Sequence, residues 1–512
     1  MKTVLTRFLP HIAFLALIAW ALRGQGVCCD DYPQIVLRTA ASPVEEWRAT
    51  PLLILTHGLG YALLGYDHFW VYDALKIGWV ALAYAMAYRF AALWLDPARA
   101  ALFAALFLLF PSHDSTVFWY SNQYLTLTSA FFLFAFALAE RNRLGAAAAL
   151  SALGSFVSYG SPPWAFGLGL AFALQRKWRE ALALVLPNLA YVAYYVVLTK
   201  AIGKGSGRLP DTLDVAGVAK QFLLQLAGGI EAVLGPSLWL KVWWSVGSLT
   251  LLSLLAGVVI GILLAAGRKE AGGILPRAVW AAAGTVALLG FAMFALTGFY
   301  PQAAFGVGNR VTIYASFPVA LALAALARPR WAYAAVAAVL VFATLGVADH
   351  WRDWRRVQVA TLEAIRATPE LGTREIAGGT LFVVGRDYSR LGPIGHVAFF
   401  SDIWVTDAVF ALALGEKKRF KAVALSSRFS VTPAGLVDSK HGTTYKVGEA
   451  IDVYDAARGE LRRVAAQDLA QFVAAQRPPP RHWIQLVHAP WLTAFIQRWM
   501  PRLRYLFPSE PG

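Results

Sequence analysis

Asp30 and Asp31 are adjacent acids, followed by Tyr32, and they stand just after the first apolar run at 4–22. A carboxylate beside low-dielectric material resists ionisation, and a second acid nearby adds to that resistance. One of such a pair can therefore reach a pKa suited to accepting a proton. Asp also caps helices well, and spacing alone does not separate the two uses. Arg48 opens the stretch Arg-Ala-Thr-Pro-Leu, where a guanidinium could pair a phosphate bidentately or snorkel from the membrane interface to water. His113 and Asp114 lie together between two apolar runs, so they could relay protons, orient a substrate or simply cap a helix end. Arg310 follows Gly-Val-Gly-Asn at the start of a late apolar run, a placement that suits a lipid phosphate group. Lys204, with Lys200, Arg208, Lys220 and Lys241, adds positive field in the same region, although each lysine alone reads equally well as a solvated loop residue.

No His-Glu-x-x-His spacing is present, and the adjacent Cys28 and Cys29 do not have metal-site spacing. A disulfide between neighbours would be strained, so these two read as free thiols or a rare local ring. No metal ligand set is therefore assigned. A divalent cation beside the acids stays open.

These residues must be positioned by a chain that is largely lipid-soluble. Of its 512 residues 58% are hydrophobic and only 15% charged, against about 45–50% and about 25% in ordinary soluble domains. The net charge of +16 does not form one patch for nucleic acid. Its bases fall between apolar runs, as a topology signal does. A membrane-crossing helix needs roughly 20 apolar residues. By that measure the runs at 4–22, 69–95, 98–111, 117–139, 144–159, 163–174, 181–198, 246–266, 278–297, 311–327 and 331–347 are spans, roughly eleven in all. The first is read as a retained signal anchor, since no Ala-x-Ala site follows it.

Arg99, Arg141, Arg143, Arg176, Lys177, Arg179, Arg268, Lys269, Arg277, Arg328 and Arg330 occupy every second connection. Lys and Arg resist transfer across a membrane, so those connections and the N-terminus are expected to be cytoplasmic. The stretch 51–65, with His57, is then an interfacial helix on the outer side. This predicts a transmembrane domain at 1–349, with a first outer loop at 23–68 and a long outer loop at 199–245. A soluble extracytoplasmic α/β or α+β domain follows at 350–512. Strand-like runs at 380–385, 421–425, 443–447 and 451–454, a polar helix near 465–476 and a Trp-rich interfacial helix at 483–500 make up that domain.

At its outer-side groups the chain resembles membrane glycosyltransferases of the GT-C superfamily, in particular their protein O-mannosyltransferase-like branch. DDYPQIVLR is similar to that superfamily's acidic first-loop motif. RATPLLILTHGLGYALLGYDHFW, FPSHDSTVFW and NRVTIYASFPVALALAALA resemble further segments of that branch, in the same order. The resemblance implies a GT-C type α-helical polytopic fold in a bacterial inner membrane, with N-terminus cytoplasmic and C-terminal domain periplasmic. It implies an enzyme moving a sugar from a polyprenyl-phosphate donor to a glycan, lipid or protein acceptor by inverting displacement. Asp31 or Asp30 would be the base; Arg310, Arg48 and Lys204 would hold the donor phosphate; and His113, Asp114, Tyr32 and His57 would line the substrate site. The soluble tail has no tetratricopeptide repeats, which turns the expectation toward a glycan or lipid acceptor. Two alternatives are an O-antigen ligase or polymerase and a flippase of lipid-linked substrates. The first would place its Arg and His in a large late loop, and the second needs acids at mid-membrane depth.

Overall fold

The computed structural model describes residues 2–40, 50–53, 57–201, 214–267, 273–297, 300–439, 442–487 and 490–499. The protein is an α-helical polytopic membrane protein with a C-terminal domain built around β-strands. Six described helices are long and apolar enough to cross a membrane: Tyr120–Ala139, Trp178–Leu198, Val215–Gly247, Arg277–Thr297, Val307–Leu326 and Arg330–Arg366. Shorter apolar helices, Phe8–Leu22, Pro97–His113, Leu144–Val157, Pro162–Leu174 and Leu251–Gly267, pack among them. Helix Phe69–Ala91 joins the bundle despite carrying Asp73, Lys76 and Arg89.

Local rules account for the starts of these helices. Pro97 occupies the first turn of its helix, where its missing N–H costs nothing, and the Asp96 side chain accepts the Arg99 amide. Small residues then allow close packing in the absence of a water-driven hydrophobic force. A Cβ on Gly167 would lie 2.9 Å from the Val286 amide nitrogen. That proximity lets Pro162–Leu174 lie directly on Arg277–Thr297.

The region expected to be a long loop, 199–245, differs from that expectation. It contains helices Val215–Leu234 and Pro236–Gly247, broken at Gly235-Pro236. Gln221, Gln225, Gly229 and Ala232 are buried along one face of the first, while Leu223, Ile230 and Leu234 are exposed on another. Its polar stripe packs inward, so a simple apolar run is absent from the sequence. Lys241, read as a solvated loop lysine, is fully buried in the second helix.

The bundle has two chemically distinct ends. At one, Arg99 donates to the Ala325 and Gly273 carbonyls, and Arg328 also reaches Gly273. Asp30, Asp31, Asp114 and Arg310 gather at the other, beneath the C-terminal domain. Helix Arg330–Arg366 connects the two. Its 37 residues span about 55 Å, well beyond a hydrocarbon core of about 30 Å. It therefore runs unbroken through position 350 into the C-terminal domain, with Trp351, Trp354 and Ile365 buried there.

That domain centres on a four-stranded sheet ordered β4-β1-β8-β9. Strand β1 (Thr380–Val384) lies parallel to β4 (Lys421–Ala424) and β8 (Ala450–Asp455), and β9 (Glu460–Ala465) is antiparallel to β8. The central strands are nearly all buried, as parallel strands covered on both faces must be. Arg462 and Arg463 instead mark β9 as an edge. Two smaller sheets pair β2 (Tyr388–Leu391) with β3 (Ile394–Ala398), and β5 (Phe429–Thr432) with β6 (Gly435–Asp438) and β7 (Thr443–Tyr445). The expected strand positions carry β1, β4, β7 and β8, and the polar helix is Leu469–Ala475. Strands β2, β3, β5, β6 and β9 were not anticipated, because their short runs show no clear alternation, and helix Ile403–Leu414 was not anticipated either. Helix Pro490–Trp499 occupies the expected interfacial segment and exposes Trp491, Phe495 and Trp499.

Candidate active site

The first loop is fixed from below by a pair inside helix Phe69–Ala91. Asp73 accepts the Gly24 and Gly26 amides, each at 2.7 Å. Lys76 pairs with Asp73 at 3.1 Å and donates to the Gly26 carbonyl at 2.8 Å. Gly26, at φ 57°, permits this turn, and Cys29 adopts φ 55° just before the acids. A left-handed non-glycine residue is uncommon and strained.

Asp31 is fully buried. Its Oδ1 accepts from the Tyr61 hydroxyl at 2.5 Å and the Ser121 amide at 3.1 Å, and its Oδ2 accepts the Cys28 amide at 2.9 Å. Burial pushes its pKa up to about 6, opposed by those hydrogen bonds and by Lys76. A carboxyl whose folded pKa exceeds the unfolded value near 3.8 holds extra protons in the folded state. Its contribution to stability is thus full at low pH and is lost as pH rises from about 4 through about 6. The melting temperature of Asp31→Asn relative to wild type is expected to rise across that window. A pH-independent difference would contradict the assignment.

Asp30 is only half-buried and accepts the Trp404 indole N–H at 2.7 Å. Within electrostatic reach of it stands Arg310, on the short helical turn Val307–Thr312. Arg310 is 9% exposed, and its guanidinium carbon lies 4.6 Å from the Tyr300 ring centre and 5.2 Å from that of Trp119. Its Nε is buried without a hydrogen-bond partner. Among the described residues no carboxylate comes within ion-pair distance of it. Burying a charge costs several kcal/mol unless something pairs with it. A site that maintains this charge beside aromatic faces suits an incoming anion.

Tyr300 also lies against helix Arg277–Thr297, which forms one wall of an apolar groove. Its ring is 6.3 Å from Phe294, and the Gln225 amide donates to its carbonyl at 3.3 Å. Next to Phe294, a groove of about 500 Å³ runs between helices Val215–Leu234 and Arg277–Thr297, lined by Val215, Val218, Phe222, Leu223, Ala295 and Leu296 among others.

The segment before Arg310 is held by Asp114. This buried carboxylate accepts from Lys241 at 2.6 Å, Asn309 at 2.5 Å, the Trp351 indole at 2.8 Å and His396 at 2.9 Å. Burial alone would raise its pKa, but Lys241 and His396 outweigh that and hold it below the ordinary carboxylate range. Burial lowers the His396 pKa, opposed by Asp114, and the other ring nitrogen of His396 accepts the Gly306 amide at 3.2 Å. Lys241 also donates to the Ala304 carbonyl at 2.6 Å. Lys241→Met is expected to destabilise the protein by about 3–5 kcal/mol, since it strands a buried acid. Adding Asp114→Asn should recover part of that loss in thermal unfolding. A single variant that melts like wild type would show the pair to be unimportant.

The structure thus brings Asp30, Asp31, Asp114 and Arg310 to one end of the bundle. His113 is buried beside them, with Nδ1 3.0 Å from Thr116 and its ring stacked on Phe110. Tyr32 is enclosed between Gln358 and Arg355 rather than facing an open cavity. His57 is buried against Tyr120, at 5.0 Å between ring centres, and burial lowers its pKa to about 3. Arg48 and Lys204 lie outside the described residues. Sequence reasoning missed Tyr61, Ser121, Trp119, Tyr300, His396 and Trp404, and only the Asp73–Lys76 pair inside an apolar span carried a readable signal. Among the described residues no group of three or more His, Cys, Asp or Glu could hold a metal ion.

No protein-family model matches the chain, and no curated protein matches it. Among solved structures, the crystal structure of ArnT from Cupriavidus metallidurans bound to undecaprenyl phosphate is similar over 81% of this chain and 86% of that one, with 13% identity and a TM-score of 0.43. At that level the likeness does not carry activity or residue roles across.

Proposed function

We propose that the protein is a GT-C type membrane glycosyltransferase that moves a sugar from a polyprenyl-phosphate donor to an acceptor hydroxyl. The observation that carries this reading is Arg310: a buried guanidinium that has no carboxylate within ion-pair distance among the described residues, with the half-buried Asp30 in electrostatic reach and an apolar groove along the neighbouring helix Arg277–Thr297. The groove would seat the start of an isoprenoid chain and Arg310 its phosphate, with the sugar lying toward Asp30. The acceptor oxygen attacks the anomeric carbon, its proton passes to Asp30, and the carbon–oxygen bond to phosphate breaks. The electron pair of that bond stays on the phosphate oxygen, where Arg310 stabilises the growing charge. The configuration at the anomeric carbon inverts in this single displacement.

Asp31 is the buried support of the pair in this scheme, because three donors already engage it. Asp114 is likewise a scaffold rather than a substrate ligand. The acidic end of the bundle and the C-terminal domain would face away from the cytoplasm, an orientation that the distribution of Lys and Arg supports. The acceptor would be a cell-surface glycan or lipid. The test is transfer of radiolabelled sugar from a panel of undecaprenyl-phosphate hexoses and pentoses to an envelope extract. Absence of transfer from every donor, together with no measurable binding of undecaprenyl phosphate, would sink the reading.

A further inference from the structure

One short stretch of the C-terminal domain touches Asp30 directly and grips the segment that leads to Arg310. His396, in β3, donates to Asp114 and accepts the Gly306 amide, so it grips the segment that ends in Arg310. Two residues on, the Ala398 carbonyl accepts the Cys29 thiol at 3.4 Å. The Phe399 ring then lies 5.8 Å from that of Tyr32. At the start of helix Ile403–Leu414, Trp404 donates its indole N–H to Asp30 at 2.7 Å. That helix packs along helix Asp31–Ala40, whose first residue is the second acid of the pair.

The stretch itself is tied down from behind. Gly395 donates to the Pro480 carbonyl and Phe399 to the Asp387 carbonyl, both at 2.8 Å, and Phe400 donates to Arg386 at 3.2 Å. A segment anchored to its own domain and bonded at either end to the two halves of a site acts as a fixed spacer between them. Catalytic groups held to within about half an ångström owe that precision to such supports.

We propose that residues 396–404 set the separation between Asp30 and Arg310, so that the C-terminal domain is a working part of the active site rather than an appended module. Trp404 and His396 are positioning residues. Trp404 aims the carboxylate that takes the proton, and His396 sets the height of the guanidinium that meets the phosphate. This rests on reading Asp30 as base and Arg310 as phosphate ligand.

The test uses the full-length chain in detergent, with two readouts: transfer from undecaprenyl-phosphate sugars and binding of undecaprenyl phosphate. Trp404→Phe keeps the ring and loses the N–H. It should lower kcat about 10–100-fold with undecaprenyl-phosphate affinity unchanged, and Trp404→His, which offers a ring N–H, should recover part of the loss. His396→Phe should weaken undecaprenyl-phosphate binding about tenfold. Each effect must vanish in the matching background: Trp404→Phe adds nothing to Asp30→Asn, and His396→Phe adds nothing to Arg310→Ala. A merely structural role would give additive losses, and additivity overturns the proposal while leaving the roles of Asp30 and Arg310 standing. Full activity in Asp30→Asn alone would instead remove the reading of the base and this proposal with it. Where His396→Phe fails to fold, His396→Gln retains a donor for Asp114 and loses the ring acceptor for Gly306. It must then show the affinity loss, and wild-type affinity in that variant counts against the spacer.

Discussion

Asp30→Asn is expected to lower sugar transfer by about 10²–10⁴-fold, the usual worth of a general base, with little change in melting temperature. The amide keeps the shape of the side chain and an oxygen that can accept from Trp404, so only basicity is lost. Asp31→Asn is expected to behave differently. The Cys28 amide donates to one of its oxygens, while Tyr61 and Ser121 donate to the other. An Asn placed there sets an N–H against a donor on at least one side, and a buried polar group left without its partner costs about 1–3 kcal/mol. Its loss should therefore appear in stability first, and in turnover only through the displaced loop. Steady-state transfer and thermal unfolding, measured side by side on both variants, separate the two roles. Near-wild-type turnover in Asp30→Asn with a large fall in a well-folded Asp31→Asn would reverse the assignment.

Arg310→Ala should reduce kcat/KM for the donor by about 10²–10³-fold, the scale seen when one preorganised charge-stabilising group is removed. Its effect on folding decides between a ligand-binding role and a structural one. Truncating one member of a buried ion pair normally strands the other and costs about 3–5 kcal/mol. Among the described residues Arg310 has no carboxylate at ion-pair distance to strand. Removing it relieves a buried charge and gives up contacts with Tyr300 and Trp119 worth about 0.5–2 kcal/mol each. The melting temperature should therefore hold or rise while undecaprenyl-phosphate binding falls. Arg310→Lys should retain part of the affinity, since an ammonium supplies charge without the paired geometry. Unchanged undecaprenyl-phosphate affinity in a folded Arg310→Ala protein would remove this residue from the site.

Sequence alone determined that the chain crosses a membrane many times and ends in a domain containing strands. Both follow from patterns local in the chain: long apolar runs, and short β-branched runs such as Thr380–Val384 bounded by turn residues. Asp30, Asp31, Asp114 and Arg310 were recognisable because a charge at the edge of an apolar run is costly and therefore conspicuous. Their division of labour was not recognisable. That Asp31 is enclosed and Asp30 is half-open depends on Tyr61 and Ser121, which lie 30 and 90 residues away. That Asp114 is a scaffold depends on Lys241, Asn309, Trp351 and His396, contributed by four separate parts of the chain. Lys241 itself looked like a loop lysine, because nothing near it in sequence announces a buried acid 127 residues earlier. The helices at 215–247 likewise read as a loop, because Lys220, Gln221, Gln225, Glu231 and Lys241 interrupt their apolar runs. A carboxylate's role is set by how many donors reach it and how far it is from water. Those quantities are fixed by which helices and strands come together, so only the tertiary structure decided them.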